Sequence, residues 1–230
     1  MSSVHFDLKT LLDLKGIKCS DLQVNSLEDY MLYILKKNEE VNLTAIKDPD
    51  EFKIRMIFDS ALPLKLISFD NKKVLDIGTG AGYPGTVIAT LSEAKVTMID
   101  STSKKLDVIN DYKGRDYYTV HTRAEKYVLT HRDAFDIVIA RAVAELPILL
   151  ELALPLTKVG GYFIAMKGKE AEAEINKSKK ALIKLHAHIE KTQEVILPTG
   201  EKRINILIKK DEETPKKFPR EYKEIKANPL

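Results

Sequence analysis

Val74-Leu75-Asp76-Ile77 runs straight into Gly78-Thr79-Gly80-Ala81-Gly82-Tyr83-Pro84-Gly85, an apolar strand followed by a glycine-dense turn and a helix start. Glycine lets backbone come within contact distance of a ligand and takes positive φ at no steric cost, and proline has the fixed φ suited to a helix's first residue. Together these residues mark a nucleotide-type cofactor site. Two cofactors fit. Gly80 to Gly85 satisfies G-x-G-x-x-G and Asp100 follows about 20 residues on, as a dinucleotide site requires. Alternatively, Asp76 and the Gly78-Thr79-Gly80 turn face the methionine portion of S-adenosylmethionine. A carboxylate attracts that portion's ammonium, directly or through water, whereas it would repel a pyrophosphate. Asp76 therefore favours the methyl donor over the dinucleotide.

Further groups of this kind fall just past other apolar runs. Asp100 is a short carboxylate suited to accepting hydrogen bonds from both ribose hydroxyls, and in Asp100-Ser101-Thr102 it is also a competent helix cap. Thr122-Arg123-Ala124-Glu125 offers backbone amides and an acid to an adenine edge, or simply a solvated helix start. Arg141 ends the run Ile137-Val138-Ile139-Ala140, where its planar fork suits a carboxylate, a carbonyl or a phosphate; a salt bridge to a neighbouring helix is the plainer alternative. Lys167-Gly168-Lys169 is basic at the same sheet edge, so Lys167 is a candidate for substrate backbone. The histidines at 5, 121, 131, 186 and 188 lack metal-ligand spacing, with His186 and His188 expected on different helix faces, so no metal is assigned. Neither G-x-S-x-G nor a Walker sequence occurs, which disfavours hydrolytic triads and nucleotide triphosphatases.

Such strand-end residues need a sheet to hold them. Seven strands are expected, at Val74–Ile77, Val96–Asp100, Tyr117–His121, Phe135–Ala140, Tyr162–Lys167, Glu194–Leu197 and Ile204–Lys209. Continuous apolar runs suit strands covered on both faces, and helical segments near Lys104–Lys113, Leu146–Thr157 and Glu170–His188 suit the covering layers. Ahead of the sheet the period is helical from Phe6 to about Phe69, with Asn25-Ser26 read as one helix start and Pro49 as a turn before the next. The expected fold is α/β, a seven-stranded Rossmann-like sheet with helices on both faces. Its expected parts are an N-terminal helical cap at 1–70, a cofactor-binding domain at 71–210 and a basic tail at 211–230.

At 230 residues and 44% hydrophobic, the chain can bury one substantial core with a modest appendage. Its single cysteine, Cys19, excludes an internal disulfide and a cysteine-based zinc site; with no signal peptide or long apolar span, a cytoplasmic protein without a membrane is expected. The net charge of +3 is too small to argue for nucleic acid by itself. Its distribution says more: between Lys202 and Lys226 nine Lys/Arg face five Asp/Glu, a stretch suited either to phosphates or to solvent.

Asn42-Leu43-Thr44-Ala45-Ile46, Asp59-Ser60, the Asp76–Gly85 turn, Asp100-Ser101, Arg141-Ala142-Val143-Ala144, Lys167-Gly168 and Gly200-Glu201-Lys202-Arg203, in that order, resemble the bacterial 16S ribosomal RNA guanine-N7 methyltransferase family, also called the glucose-inhibited division protein B family. The resemblance runs from about the second expected helix to the end of the chain. It implies an S-adenosylmethionine-dependent enzyme that methylates a guanine in the decoding region of small-subunit ribosomal RNA, with 16S rRNA or the small subunit as partner and a monomer expected. Family cofactor positions fall on Gly78, Tyr83, Ala124, Glu125 and Arg141, beside Asp76, Gly80 and Asp100 from the reading above. There is one departure: Met56 stands where the family is expected to carry histidine, so no imidazole role is carried over.

The implied chemistry makes few demands. Guanine N7 has an in-plane lone pair and no proton, so direct displacement at the sulfonium methyl needs no general base. In-line positioning is the catalyst, worth up to roughly 7–11 kcal/mol. A bidentate arginine contact to guanine O6 and N7 would cover the nucleophile. Arg141, expected with Lys167 in the catalytic centre, must then engage the cofactor carboxylate, O6 alone or a phosphate. Arg123, Lys167, Lys169 and Arg203 are the expected RNA contacts. Competing readings are a small-molecule methyltransferase, disfavoured by the basic strand ends, a nicotinamide oxidoreductase, disfavoured by Asp76, and a non-catalytic RNA or ribosome-binding protein, disfavoured by the intact cofactor positions.

Overall fold

In a computed structural model of the chain, seven strands form one sheet: β1 (Lys73–Ile77), β2 (Lys95–Asp100), β3 (Tyr117–His121), β4 (Phe135–Arg141), β5 (Thr157–Lys167), β6 (Ala187–Ile196) and β7 (Lys202–Lys210). The structure describes residues 7–112, 114 and 116–230; His5, the Phe6 start of the helical region and the Lys113 end of a helical stretch lie outside the described residues. Strand order is β3-β2-β1-β4-β5-β7-β6, with β1 to β5 parallel to one another and β7 antiparallel to both β5 and β6. The seven-stranded α/β sheet is the one expected. Val74, Leu75, Val138 and Ile139 are fully buried, as central parallel strands covered on both faces must be. From β1 the chain winds outward to β2 and β3, then returns to β4 on the other side of β1. That reversal splays the loops apart beyond the carboxyl ends of β1 and β4 and opens a crevice there.

The N-terminal cap begins with α1 (Leu8–Leu14) and α2 (Asp21–Lys37). The α2 start is a capping box: Gln23 N–H donates to Ser20 Oγ (3.2 Å), and Ser20 N–H donates to Gln23 Oε1 (2.9 Å). Asn25-Ser26, read as the start, therefore lie inside the helix. After α3 (Pro49–Phe52) the helix widens to a π-turn over Lys53–Phe58, continues as α4 (Asp59–Ala61) and ends in a 3-10 turn at Leu62–Lys65. Leu12, Leu27, Tyr30, Ile34 and Phe52, all fully buried, share one cluster with Ala81, Tyr83 and Val87 of the glycine turn and α5 (Gly85–Leu91). Burying side chains of this size contributes about 1.5–3 kcal/mol each. Tyr30 also donates its hydroxyl to Ala81 O at 3.0 Å, so the cap and the turn are packed as one body.

The remaining helices are α6 (Ser103–Asp111), α7 (Ala124–His131), α8 (Leu146–Ala153), α9 (Ala171–Lys177), α10 (Lys179–Lys184) and α11 (Tyr222–Ala227). Several boundaries correct the sequence reading: the helix expected to run to Thr157 stops at Ala153, and the strand expected from Tyr162 begins at Thr157. The helix expected to run to His188 stops at Lys184, and the strand expected at Glu194–Leu197 begins at Ala187. His188 consequently lies on a strand, and His186 sits in the preceding turn with φ +56°. The basic tail folds back over α8, burying Phe218 and Ile225 in the main core.

Candidate active site

Asp76, third residue of the buried center of β1, organises the glycine turn from below. Its Oδ2 accepts from Thr79 Oγ1 at 2.6 Å and from Gly85 N–H at 2.9 Å, drawing the two ends of the turn together. Gly85 is required by space: a Cβ there would lie 2.5 Å from Met98 Sδ and 2.9 Å from Asp76 Oδ2. Gly78 is required by both φ, +68°, and a Val143 methyl that would sit 2.6 Å from its Cβ. Pro84 caps α5 with its φ of −86° rather than opening it as the first helical residue. Asp76 is fully buried and its Oδ1 has no hydrogen-bond partner. Burial pushes its carboxyl up to about 6, against the Thr79 and Gly85 hydrogen bonds and the charge of Arg141.

Above the turn lie two joined cavities. The larger, about 650 Å³, opens over the ends of β1, β4 and β5 beneath the cap and is lined by Tyr83, Gly80, Arg141, Lys167 and Arg203 among others. The smaller, about 310 Å³, opens over the ends of β2 and β3 and is lined by Thr122, Arg123, Ala124, Glu125 and Tyr222 among others. Gly78, Asp100, Lys105 and Ala142 border both, so the crevice is continuous. Its volume is that of an ordinary small-molecule site. A Cβ on Gly80 would meet nothing within 4 Å, which leaves open space over the turn.

Asp100 stands where the cavities meet. Its Oδ2 accepts from Gly80 N–H (3.0 Å) and its Oδ1 from Thr102 N–H (2.9 Å), so its capping and turn-bracing roles are both present while each oxygen keeps a lone pair for a ligand. Ala124 and Glu125 open α7, and both are buried beside the smaller cavity. Ala142, the residue after β4, has φ +56° without being glycine. A backbone held in that region costs of order 1–3 kcal/mol and here is concentrated at the crevice wall.

Arg141 faces the cap. Its Nη1 donates to Arg55 O (2.8 Å) and lies 3.7 Å from Asp59 Oδ2, and its Nη2 donates to Met56 Sδ (3.1 Å). The π-turn carries Arg55 and Met56, and Asp59 follows it directly; such a helical irregularity often marks functional segments. Met56, at the position where histidine was expected, supplies a sulfur acceptor to Arg141. Asp59 is 2% exposed and also accepts from Arg203 Nε at 3.2 Å. Burial pushes the Asp59 carboxyl up while Arg141 and Arg203 oppose the rise; burial likewise pulls the Arg141 guanidinium down against Asp59 and Asp76.

The other basic residues separate. Lys167 is 9% exposed and donates to Ala144 O (2.5 Å) and Glu174 Oε2 (2.7 Å), bracing the loop after β4. It borders the larger cavity with its charge already paired. Arg203 lines the same cavity, Arg123 lines the smaller one, and exposed Lys169 lines neither. Sequence reasoning missed Arg55, Lys105 and Tyr222. Arg55 pairs with Glu51 and Glu201, and that Glu51–Arg55 spacing of four was the available signal; Lys105 was visible as the residue one turn past Asp100. Among the described residues there is no cluster of three or more potential metal ligands, and no helix is long and apolar enough to cross a membrane.

Comparison with known proteins agrees with this geometry. The architecture matches a ribosomal protein L11 methylase from Lactobacillus delbrueckii subsp. bulgaricus, with TM-score 0.52, 20% identity, and coverage of 69% of this chain and 79% of that one. It also matches an S-adenosylmethionine-dependent methyltransferase from Mesorhizobium loti, with TM-score 0.50, 12% identity, and coverage of 65% and 97%. At those identities the likeness establishes the fold, a class I methyltransferase sheet. The ribosomal RNA small subunit methyltransferase G of Acetivibrio thermocellus is 41% identical over 223 residues, 94% of this chain and 92% of the relative. That of Desulfitobacterium hafniense is 41% identical over 213 residues, 89% and 88% of the two chains. The family model for rRNA small subunit methyltransferase G (GidB) matches residues 23–204. With the strand-end residues, the crevice and these relatives in agreement, the chain belongs to the rRNA small subunit methyltransferase G family.

Proposed function

We propose that this enzyme transfers the methyl group of S-adenosylmethionine to N7 of a guanine in 16S ribosomal RNA. The observation that carries the reading is the continuous crevice at the switch point of the sheet, with Asp100 at its waist and an open-topped glycine turn as its floor. These residues fit the donor. Asp100 would hold the ribose hydroxyls, Ala124 and Glu125 would border the adenine, and Gly78, Gly80 and Tyr83 would border the methionine end. Asp76 is buried under the turn and lines neither cavity, so its contribution is the shape of the turn and a negative field beneath the ligand's ammonium. When bound, S-adenosylmethionine supplies an electrophilic methyl on a sulfonium.

The chain's own work is orientation. Leu43, Ile46 and Met56 give the larger cavity an apolar side suited to the flat face of a base, and Arg203 lines the same cavity. Asn38 holds that side in place, accepting from Leu43 N–H (2.7 Å) and Thr44 N–H (2.9 Å) and donating to Thr44 O (2.9 Å). The carboxylates on the larger cavity, Asp59, Asp100 and Glu174, are each paired with a cation or a backbone amide. None stands ready as a general base, and an N7 nucleophile needs none. Arg141, with both terminal nitrogens on the cap, ties the end of β4 to the segment that covers the crevice and leaves a guanine N7 uncovered. Arg123 and Arg203, at opposite ends of the crevice, are the phosphate contacts of this reading. The substrate of this reading is the small ribosomal subunit or its RNA.

The test is transfer of radiolabelled methyl from S-adenosylmethionine to small ribosomal subunits from cells lacking this protein. Label in 16S RNA that maps to N7 of a guanine confirms the reading. Absence of label, with the same preparation binding S-adenosylhomocysteine, refutes it in favour of a small-molecule substrate or a non-catalytic role.

A further inference from the structure

The C-terminal segment reaches the smaller cavity. Tyr222, first residue of α11, is part of that cavity's wall beside Arg123 and Leu152, and the Arg123 guanidinium lies 5.7 Å from the Tyr222 ring centroid. Two residues earlier, Arg220 is clamped to Glu151 of α8 by three hydrogen bonds: backbone N–H and Nε to Oε1, both 2.9 Å, and Nη2 to Oε2 at 2.6 Å. Glu151 is fully buried, so its charge has been withdrawn from water for this one partner. Arg132 donates to the carbonyls of Thr214 and Phe218, and Phe218 and Ile225 are buried on either side of the clamp. A charged anchor of this quality exceeds what a solvated basic tail requires. It fixes the chain two residues from an aromatic ring at the mouth of a ligand cavity.

We propose that the segment Thr214–Ala227 is a working part of the adenosine-binding site: Tyr222 is its apolar wall, and the Arg220–Glu151 clamp is the positioning device that holds the ring there. The proposal rests on the reading of this crevice as the donor site and adds a residue to it. Arg220 acts through Tyr222 and touches no ligand. The tail's basic character, Lys216, Lys217, Lys223 and Lys226, then faces outward on a segment whose register is set by donor binding rather than by RNA.

The test compares the full-length wild type with Tyr222→Ala, Tyr222→Phe and Arg220→Ala, titrating S-adenosylhomocysteine and 5′-methylthioadenosine by calorimetry and measuring methyl transfer. Tyr222→Ala should weaken both ligands by the same factor, about three- to tenfold for one lost aromatic contact. KM for the donor should rise, with kcat and KM for the ribosomal substrate unchanged, and Tyr222→Phe should restore binding. Arg220→Ala should reproduce the Tyr222→Ala factor. If Arg220→Ala fails to fold, Tyr222→Ala, which leaves the clamp in place, carries the test alone. Wild-type affinity in the Tyr222→Ala variant overturns the proposal while leaving the enzyme's function intact, as does a loss confined to the ribosomal substrate. A wild type that binds neither ligand overturns the donor site itself, and the proposal with it.

Discussion

Asp76→Asn is the substitution whose consequence can be worked furthest from the structure. The carboxyl is fully buried, one oxygen accepts from Thr79 and Gly85, and the other has no hydrogen-bond partner. Burial raises its pKa from 3.8 to about 6. The folded chain therefore binds this proton more tightly than the unfolded chain, and folding gains on acidification. The contribution is greatest below about 4, falls as pH rises towards 6, and is flat above that. At about 1.4 kcal/mol for each tenfold change in affinity, the swing is about 3 kcal/mol. Asparagine keeps an acceptor of the same shape and does not titrate. Urea unfolding of the wild type and the Asp76→Asn variant from pH 4 to pH 7.5 should show the variant gaining about 2.5 kcal/mol of that swing on the wild type, whatever other carboxylates do to both curves. The same variant should bind S-adenosylhomocysteine more weakly at pH 7.5, because the field beneath the ammonium is gone. Parallel stability curves would refute the claim that a costly buried charge is kept under the turn for the ligand's sake.

Other perturbations separate the remaining parts. Arg141→Ala unties the end of β4 from Arg55, Met56 and Asp59, and should lower kcat on ribosomal substrate on the order of 100-fold while the circular dichroism spectrum is kept; unchanged turnover removes Arg141 from the site. Gly78→Ala forces a side chain into φ +68° against Val143 and should cost about 1–2 kcal/mol in thermal or urea unfolding, with weaker S-adenosylhomocysteine binding; an unaltered melting temperature contradicts the steric argument. Lys210→Met removes a fully buried ammonium, leaving the carbonyls of Leu154 and Thr157 without their donor and Asp133 without its cation, and should destabilise by about 1–3 kcal/mol without changing donor KM; no measurable loss means the carbonyls found other donors. Removing Arg123 and Arg203 together should flatten the salt dependence of RNA binding, and an equal slope shows that the phosphates lie elsewhere.

What the sequence revealed, and what it hid, follows from the range over which each signal acts. The central strands were legible because both faces are buried, so β1 and β4 read as unbroken apolar runs, and the glycine turn was legible because its constraints are local to a dozen residues. β6 was legible only at its end, as Glu194–Leu197: Ala187–Ile196 is a polar edge strand with buried residues only at Ala187 and Val195, so its first half lacks the apolar pattern that marks the central strands. Asp76 was picked out as a cofactor candidate, but its complete burial under the turn depends on Met98 and Ile139 of the flanking strands, beyond local reading. The Asp59–Arg203 pair joins residues 144 apart, and the Arg220–Glu151 clamp joins residues 69 apart; in both, each partner alone looks like an ordinary surface charge. Lys167 shows the converse. Its position at a basic strand end suggested an RNA contact, whereas Glu174 on α9 already neutralises it.

The most direct measurement is a crystal structure of the full chain with S-adenosylhomocysteine. The account predicts ribose hydroxyls on the Asp100 carboxylate, adenine between Glu125 and Tyr222, and the sulfur directed into the larger cavity beneath Met56 and Arg203. A ligand lying elsewhere, or a ribose turned away from Asp100 with adenine in the larger cavity, would contradict it.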